Sequence, residues 1–235
     1  MVLRSLRVIG AATVGVLLTG AVGLAQVVKS GPATCPGVAL TFDLCPVRGS
    51  SGYDKPLFDL LLNRNIPATL FLSGRWIAKH AEEMADLLTA PFLEIGTHGQ
   101  VHAHLPFLDP EGQQAEILGP ASLLRTRYRR EATLFRPPYG EYDETTVETA
   151  RKLGLQFILW SVVSGDPDPT LSVQDIKDRL ERSVRRGSIV VLHGNGKGRH
   201  TREVVEFLTA DLLPRKGLRP MTITELLTCR APASP

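Results

Sequence analysis

After residue 36 the chain alternates short, continuously apolar runs with longer segments of helical period, and this alternation restricts the fold more than any other feature. The runs lie at 38–42, 68–72, 92–96, 133–135, 156–160, 188–193 and 220–223. Helical patterning covers about 55–63, 76–89, 112–129, 143–152, 172–186 and 203–216. Strands separated by helices of roughly 10–15 residues specify βαβ units and a parallel sheet. Runs that are apolar throughout, rather than alternating, belong to a sheet covered on both faces. An open doubly wound layer and a barrel both satisfy the pattern, and in both the chemistry lies beyond the strand C-termini. Local signals agree. Ser172 and Asp175 open one helix, Gly187 closes it behind Arg185 and Arg186, and Gly154 closes another after Lys152.

With 235 residues, 43% hydrophobic and 22% charged, the chain suits one well-buried domain. A net charge of +3 without a basic block argues against a nucleic-acid partner. Gly194, Gly196 and Gly198 follow the sixth run and lack the Gly-Lys-Ser/Thr of a phosphate loop, which argues against a nucleotide. The Gly-x-Ser-x-Gly elbow of a serine hydrolase is missing.

Arg4 and Arg7 precede an uncharged stretch at 8–25, which reads either as a secretory signal cut near Ala25 or as a retained membrane anchor. Both readings export the chain to the periplasm or beyond. Residues 26–34 read as a linker, 35–230 as the folded domain and 231–235 as a tail. Of three cysteines, Cys35 and Cys229 flank the domain and are expected to form a disulfide. An extended strand separates Cys35 from Cys45, leaving Cys45 as an unpaired, buried small hydrophobe.

Polar residues gather at the run ends. The first run ends at Asp43, the third leads to His98, His102 and His104, the fourth into "FRPPYGEYD", the fifth into "WSVVSGDPDP", and the sixth ends at His193. Five of the six histidines fall in two clusters, and His80 reads as a surface helix residue. One helical turn would put His98 and His102 on one face, as a divalent metal requires. Gly99 stands where a zincin protease carries its Glu.

Taken in order, Thr-Phe-Asp, His-x-x-x-His, Arg-Pro-Pro-Tyr-Gly, Ser-Gly-Asp and Leu-His make the sequence resemble the polysaccharide deacetylases, the NodB-homology enzymes of carbohydrate esterase family four. The resemblance spans about residues 36–228. It implies an irregular (β/α) barrel of about seven parallel strands and a divalent metal, most commonly zinc. The implied reaction is hydrolysis of N-acetyl or O-acetyl groups on a glycan such as chitooligosaccharide or peptidoglycan. Asp43 would be the general base, Arg136 its partner, His193 the general acid and Asp166 the group orienting it. His98 and His102 would hold the metal. Tyr139, through its backbone N–H, and Trp160 would meet the substrate. The chemistry is coherent by itself, since amide hydrolysis needs an activated water, a stabilised oxyanion and an acid for the leaving nitrogen.

The sequence departs from that family where Thr-Phe-Asp-Asp-Gly-Pro is usual. Leu44 replaces the Asp that serves as third metal ligand, and Cys45 replaces the glycine. Val163 and Pro167 alter the fourth motif. Asp54, in "GYD", is the first candidate for the missing ligand, although it also precedes a helix and can cap it. Cys45, His104 and His200 are the others. Two further readings stay open: a glycan-binding pseudoenzyme, and a hydrolase of a small non-sugar amide.

Overall fold

The computed structural model describes residues 27–48 and 51–230. The expectations for the segment at 8–25 and for the tail at 231–235 lie outside them. Among the described residues nine strands join one sheet, and every strand pairing is parallel. In chain order these are β1 (Val27–Val28), β2 (Gly37–Leu44), β3 (Ala68–Leu72), β4 (Leu93–Thr97), β5 (Leu134–Phe135), β6 (Gln156–Ile158), β7 (Val162–Val163), β8 (Ile189–His193) and β9 (Arg219–Met221). Their order across the sheet is β1-β6-β5-β4-β3-β2-β8-β7, with β9 pairing the start of β2. β6 and β7 lie near opposite ends of this order, yet only residues 159–161 connect them. So short a link spans at most about 14 Å, which curls the sheet into the irregular barrel.

The segment read as a linker helps to close that barrel. Val27 and Val28 pair with Phe157 and Ile158, and Ser30 bridges Ser188 at the foot of β8. Val28 O accepts from Leu159 N on one side of the seam and Gly31 N donates to Gly187 O on the other, so part of 26–34 belongs to the folded domain. The Cys35–Cys229 disulfide holds the same end, with Cα atoms 5.8 Å apart, and Cys45 stays a buried free thiol.

The seven expected strands are all present; β1 and β7, of two residues each, are too short to show a period. Helices α1 (Lys55–Asn63) and α5 (Glu144–Lys152) fall where the pattern puts them, and α4 (Pro110–Tyr128) and α6 (Val173–Ser183) within a few residues. α6 opens on the Ser172–Asp175 capping box. The expected helix over 76–89 is instead two, α2 (Gly74–Lys79) and α3 (Ala81–Thr89). His80 breaks it. Its backbone leaves the helical region, and its ring nitrogens bond Trp76 O and Ser51 O, both at 2.9 Å. His80 is therefore buried rather than at the surface. The segment over 203–216 becomes α7 (Thr201–Phe207), a π turn (Leu208–Leu212) and α8 (Leu213–Arg215), and α9 (Ile223–Thr228) ends the fold.

β2 runs through the middle and is buried along its whole length. Side chains alternate across it. Val38, Leu40, Phe42 and Leu44 join the cluster that contains Leu57, Phe58 and Leu61 of α1. Ala39 packs inside the barrel with Ile189 and Met221, and Thr41 and Asp43 follow on that inner face.

Candidate active site

Strand register assembles the site. Asp43 is paired with His193 across β2 and β8. Thr97 is paired with Phe135 across β4 and β5, so His98 and Arg136 emerge together one residue later. Arg136 N donates to Thr97 O at 2.9 Å, and His98 Nδ1 donates to Arg136 O at 2.9 Å. Strand pairing thus brings four sequence-distant residues to one barrel end.

Two ion pairs dominate. Arg136 is fully buried and donates from Nη1 to Asp43 Oδ1 and to Thr41 Oγ1, both at 2.8 Å, and from Nη2 to Leu159 O at 3.1 Å. Its guanidinium lies 4.0 Å from the Phe71 ring centroid. Burial pushes the Asp43 carboxyl up, but the charge and hydrogen bond of Arg136, together with the His98 and His193 rings, outweigh it and hold Asp43 below the usual carboxylate range. Asp43 is consequently ionised at any working pH. Across the strand pair, Asp166 accepts from four donors. They are His193 N (2.8 Å), His193 Nδ1 (3.0 Å), Ser164 Oγ (2.8 Å) and Thr201 Oγ1 (2.8 Å). Because Nδ1 is committed to Asp166, the other ring nitrogen, Nε2, carries the exchangeable chemistry of His193. Burial disfavours the imidazolium, yet the hydrogen bond and charge of Asp166 raise His193 above its ordinary value.

His98 and His102 are brought together by a loop, not by a helical turn. β4 ends at Thr97 and no helix begins before Leu105. Gly99 at φ +73° and His102 at φ +66° fold the loop back, so the two rings meet edge to face at 4.9 Å. Tyr139 also adopts φ +61°. Left-handed backbone at two bulky residues facing one cavity is strain of the kind held at functional sites. Burial drives both imidazoles toward the neutral form, His102 to about 3. Asp43, His98, His102 and His193 line a cavity of about 190 Å³, with Tyr139 and Trp160 on its apolar side. Tyr139 is 51% exposed there and stacks on His104 at 4.1 Å.

The donors fit a divalent metal only in part. His98 suits one, since its Nδ1–H is tied to a backbone carbonyl and its Nε2, 3.6 Å from Asp43 Oδ2, keeps the lone pair. His102 faces the same cavity. Of the candidates for a third ligand only Cys45 lines the cavity with them, and there its sulfur accepts from Asn195 Nδ2 at 3.0 Å while burial pushes the thiol up. Leu44 points into the helix-side core, and Asp54 caps α1 by accepting from Leu57 N at 3.1 Å. Asp54 is not among the residues lining the cavity, so the structure does not join it to the imidazoles. His104 pairs with Glu141 at 2.7 Å, and His200 precedes α7. Among the described residues no group of three His, Cys, Asp or Glu is arranged to hold a metal. A three-ligand zinc site is therefore not what these residues form.

Sequence reasoning missed several supporting residues. Glu116, buried on α4, accepts from Val101 N (3.1 Å) and Ala103 N (3.3 Å) and so holds the loop carrying His102. Thr41 steadies Arg136, and Thr201 completes the shell of Asp166. A hydroxyl or carboxylate inside a strand or helix carries no sequence signal for such a role. Lys197 also lines the cavity. Its Gly-rich surroundings read as an ordinary loop.

The arrangement matches a known family. The profile described as polysaccharide deacetylase matches residues 30–158. A peptidoglycan-N-acetylglucosamine deacetylase of Bacillus cereus is 28% identical over 191 residues, covering 81% of this chain and 87% of the relative. A chitooligosaccharide deacetylase of Bradyrhizobium sp. (strain ANU 289) is 30% identical over 162 residues, covering 66% and 69%. Among solved structures, a pseudoenzyme of carbohydrate esterase family four from Bacillus anthracis has a TM-score of 0.77 at 22% identity, covering 87% of this chain and 69% of that one. That last likeness concerns the fold. The chain belongs to the polysaccharide deacetylase family, hydrolases acting on carbon–nitrogen bonds other than peptide bonds. Enzymes of this family are generally metal-dependent.

Proposed function

We propose that this protein removes acetyl groups, N-acetyl above all, from an acetylated glycan such as chitooligosaccharide or peptidoglycan. One observation carries the reading. Asp43 and His193 face one cavity from paired strand ends, each held by an opposite charge from a different segment. Asp43, kept ionised by Arg136, takes a proton from the attacking water. His193, kept protonated by Asp166, gives one from Nε2 to the leaving nitrogen. Two groups driven apart in this way supply a base and an acid at one pH. The backbone N–H of Tyr139 and the ring of Trp160 serve the acyl side. If a divalent ion binds, His98 and His102 are its ligands, and it adds Lewis acidity toward the acyl oxygen. The protein acts outside the cytoplasm, a reading supported by its disulfide and by the apolar N-terminal stretch.

A glycan-binding protein without turnover is the second reading, favoured by Leu44 alone. Acetate release across a panel of chitooligosaccharides, peptidoglycan and small acetamides separates the possibilities. The wild type is expected to release acetate from a glycan, and Asp43→Asn to lose at least about a hundredfold in turnover. A wild type that binds glycan and releases nothing rejects hydrolysis. Release from small acetamides alone rejects the glycan.

A further inference from the structure

Lys197 lies in the loop that leaves β8 directly after His193. Asn195, fully buried, donates to Cys45 O at 3.1 Å and Cys45 Sγ at 3.0 Å. Its Oδ1 accepts from Lys197 N at 3.2 Å, which fixes the lysine backbone against the end of β2. The side chain turns into the cavity. Its ammonium acts on Cys45 as a charge and a hydrogen-bond partner, and as a charge on His102 and His193. Lys197 is itself exposed, so it stands at the mouth of the cavity that Cys45, His102 and His193 line. Every other charge there is matched: Asp43 by Arg136, and His193 by Asp166. Among the described residues no carboxylate comes within ion-pair distance of Lys197. A cation anchored through its backbone beside two neutral imidazoles opposes a divalent cation and attracts an anion.

We propose that Lys197 is a catalytic residue whose ammonium stabilises the acyl oxyanion, taking the electrostatic role that a three-ligand metal would otherwise fill. The inference rests on the hydrolase reading above. In the step, the water oxygen bonds the acyl carbon, and the carbonyl π pair moves onto the acyl oxygen, which faces Lys197 Nζ. Asp43 receives the water proton. The C–N bond then breaks with its electron pair on nitrogen, which takes the proton from His193 Nε2 as C=O re-forms. An amine and acetic acid leave, Asp43 returns its proton to solvent, and His193 regains one. No electron is gained or lost overall. A cation already beside the acyl oxygen before reaction lowers such a barrier by stabilising the charge that develops there.

Calorimetric titrations of the full chain with zinc chloride and, separately, with sodium acetate test this without relying on turnover. Lys197→Met should bind zinc at least about tenfold more tightly and acetate at least about tenfold more weakly than wild type. Lys197→Arg should keep both wild-type affinities within a few fold. Lys197 is exposed, so the fold should survive, and Lys197→Gln repeats the test should Met perturb the loop. Zinc affinity that is unchanged or weaker, or acetate affinity that is unchanged, overturns the proposal. Turnover of Lys197→Met on an active glycan should also fall at least about a hundredfold, mainly in kcat. If the wild type releases no acetate from any substrate, the hydrolase reading fails, while the two titrations still decide whether Lys197 governs the charge of the cavity.

Discussion

His102 and His193 line the same cavity, and burial acts on both rings, yet they end in opposite states. Burial takes His102 down to about 3, with His98, Lys197 and His193 pushing the same way and Asp43 opposing them without being bonded to the ring. His193 has Asp166 behind it and is held above its ordinary value of 6.5. Desolvation alone strips the proton, and a carboxylate bonded to the far nitrogen keeps it. The first wall therefore offers lone pairs and the second offers a proton. Residue type does not separate the two; what lies behind each ring does.

The comparison breaks most sharply at Asp166. Asp166→Asn removes the charge that keeps His193 protonated, so the alkaline limb of the pH–rate profile should move to lower pH. Turnover at pH 8 should fall at least about tenfold, with a smaller loss near pH 6. The stability linkage has a definite sign. A raised His193 contributes stability that is fully present below the unfolded value near 6.5 and is lost as pH rises through the folded value. Wild type should thus gain stability over Asp166→Asn on acidification in denaturant melts. An unshifted limb would show that Asp166 only shapes the loop.

The other wall should respond in the opposite direction. His102, depressed from 6.5 to about 3, contributes stability above its unfolded value, and that contribution is lost as pH falls below 6.5. Chelator-treated protein should lose about 1–2 kcal/mol through this residue between pH 7 and pH 5. His102→Asn, which tolerates the left-handed backbone, should remove that part of the loss. Equal losses in both proteins, measured by urea midpoints, would place the acid sensitivity elsewhere.

The smallest effect is expected where neither wall is touched. Asp54→Asn preserves the cap on α1, so stability should change by less than about 0.5 kcal/mol and turnover by less than about twofold. A large loss of zinc binding or turnover in this variant would return Asp54 to the site.

Much of the site was legible because its residues sit at strand ends. Asp43, His98, Arg136 and His193 each terminate or directly follow an apolar run, and parallel strands deliver their C-termini to one side. The pairing of Asp166 with His193 was expected from the resemblance and is present at 3.0 Å. Asp54 was ambiguous because one short motif allows both a cap and a ligand; the cap is formed, and Asp54 is not among the residues lining the cavity. His80 misled because a histidine on a helical pattern resembles a surface residue until its two ring nitrogens find carbonyls from different segments. Lys197 was missed because a lysine among glycines looks like solvent-facing charge.

By itself the sequence determined the parallel sheet, the order of its motifs and the residues brought to its C-terminal edge, since apolar runs and helical periods are local properties that survive in one dimension. The tertiary structure alone decided which face of β2 each side chain takes, that the segment at 27–30 closes the barrel, and that His98 and His102 meet through a loop with left-handed residues. It also decided the charge states. A pKa depends on burial and on charges within a few ångströms, and those neighbours come from segments as much as a hundred residues or more apart.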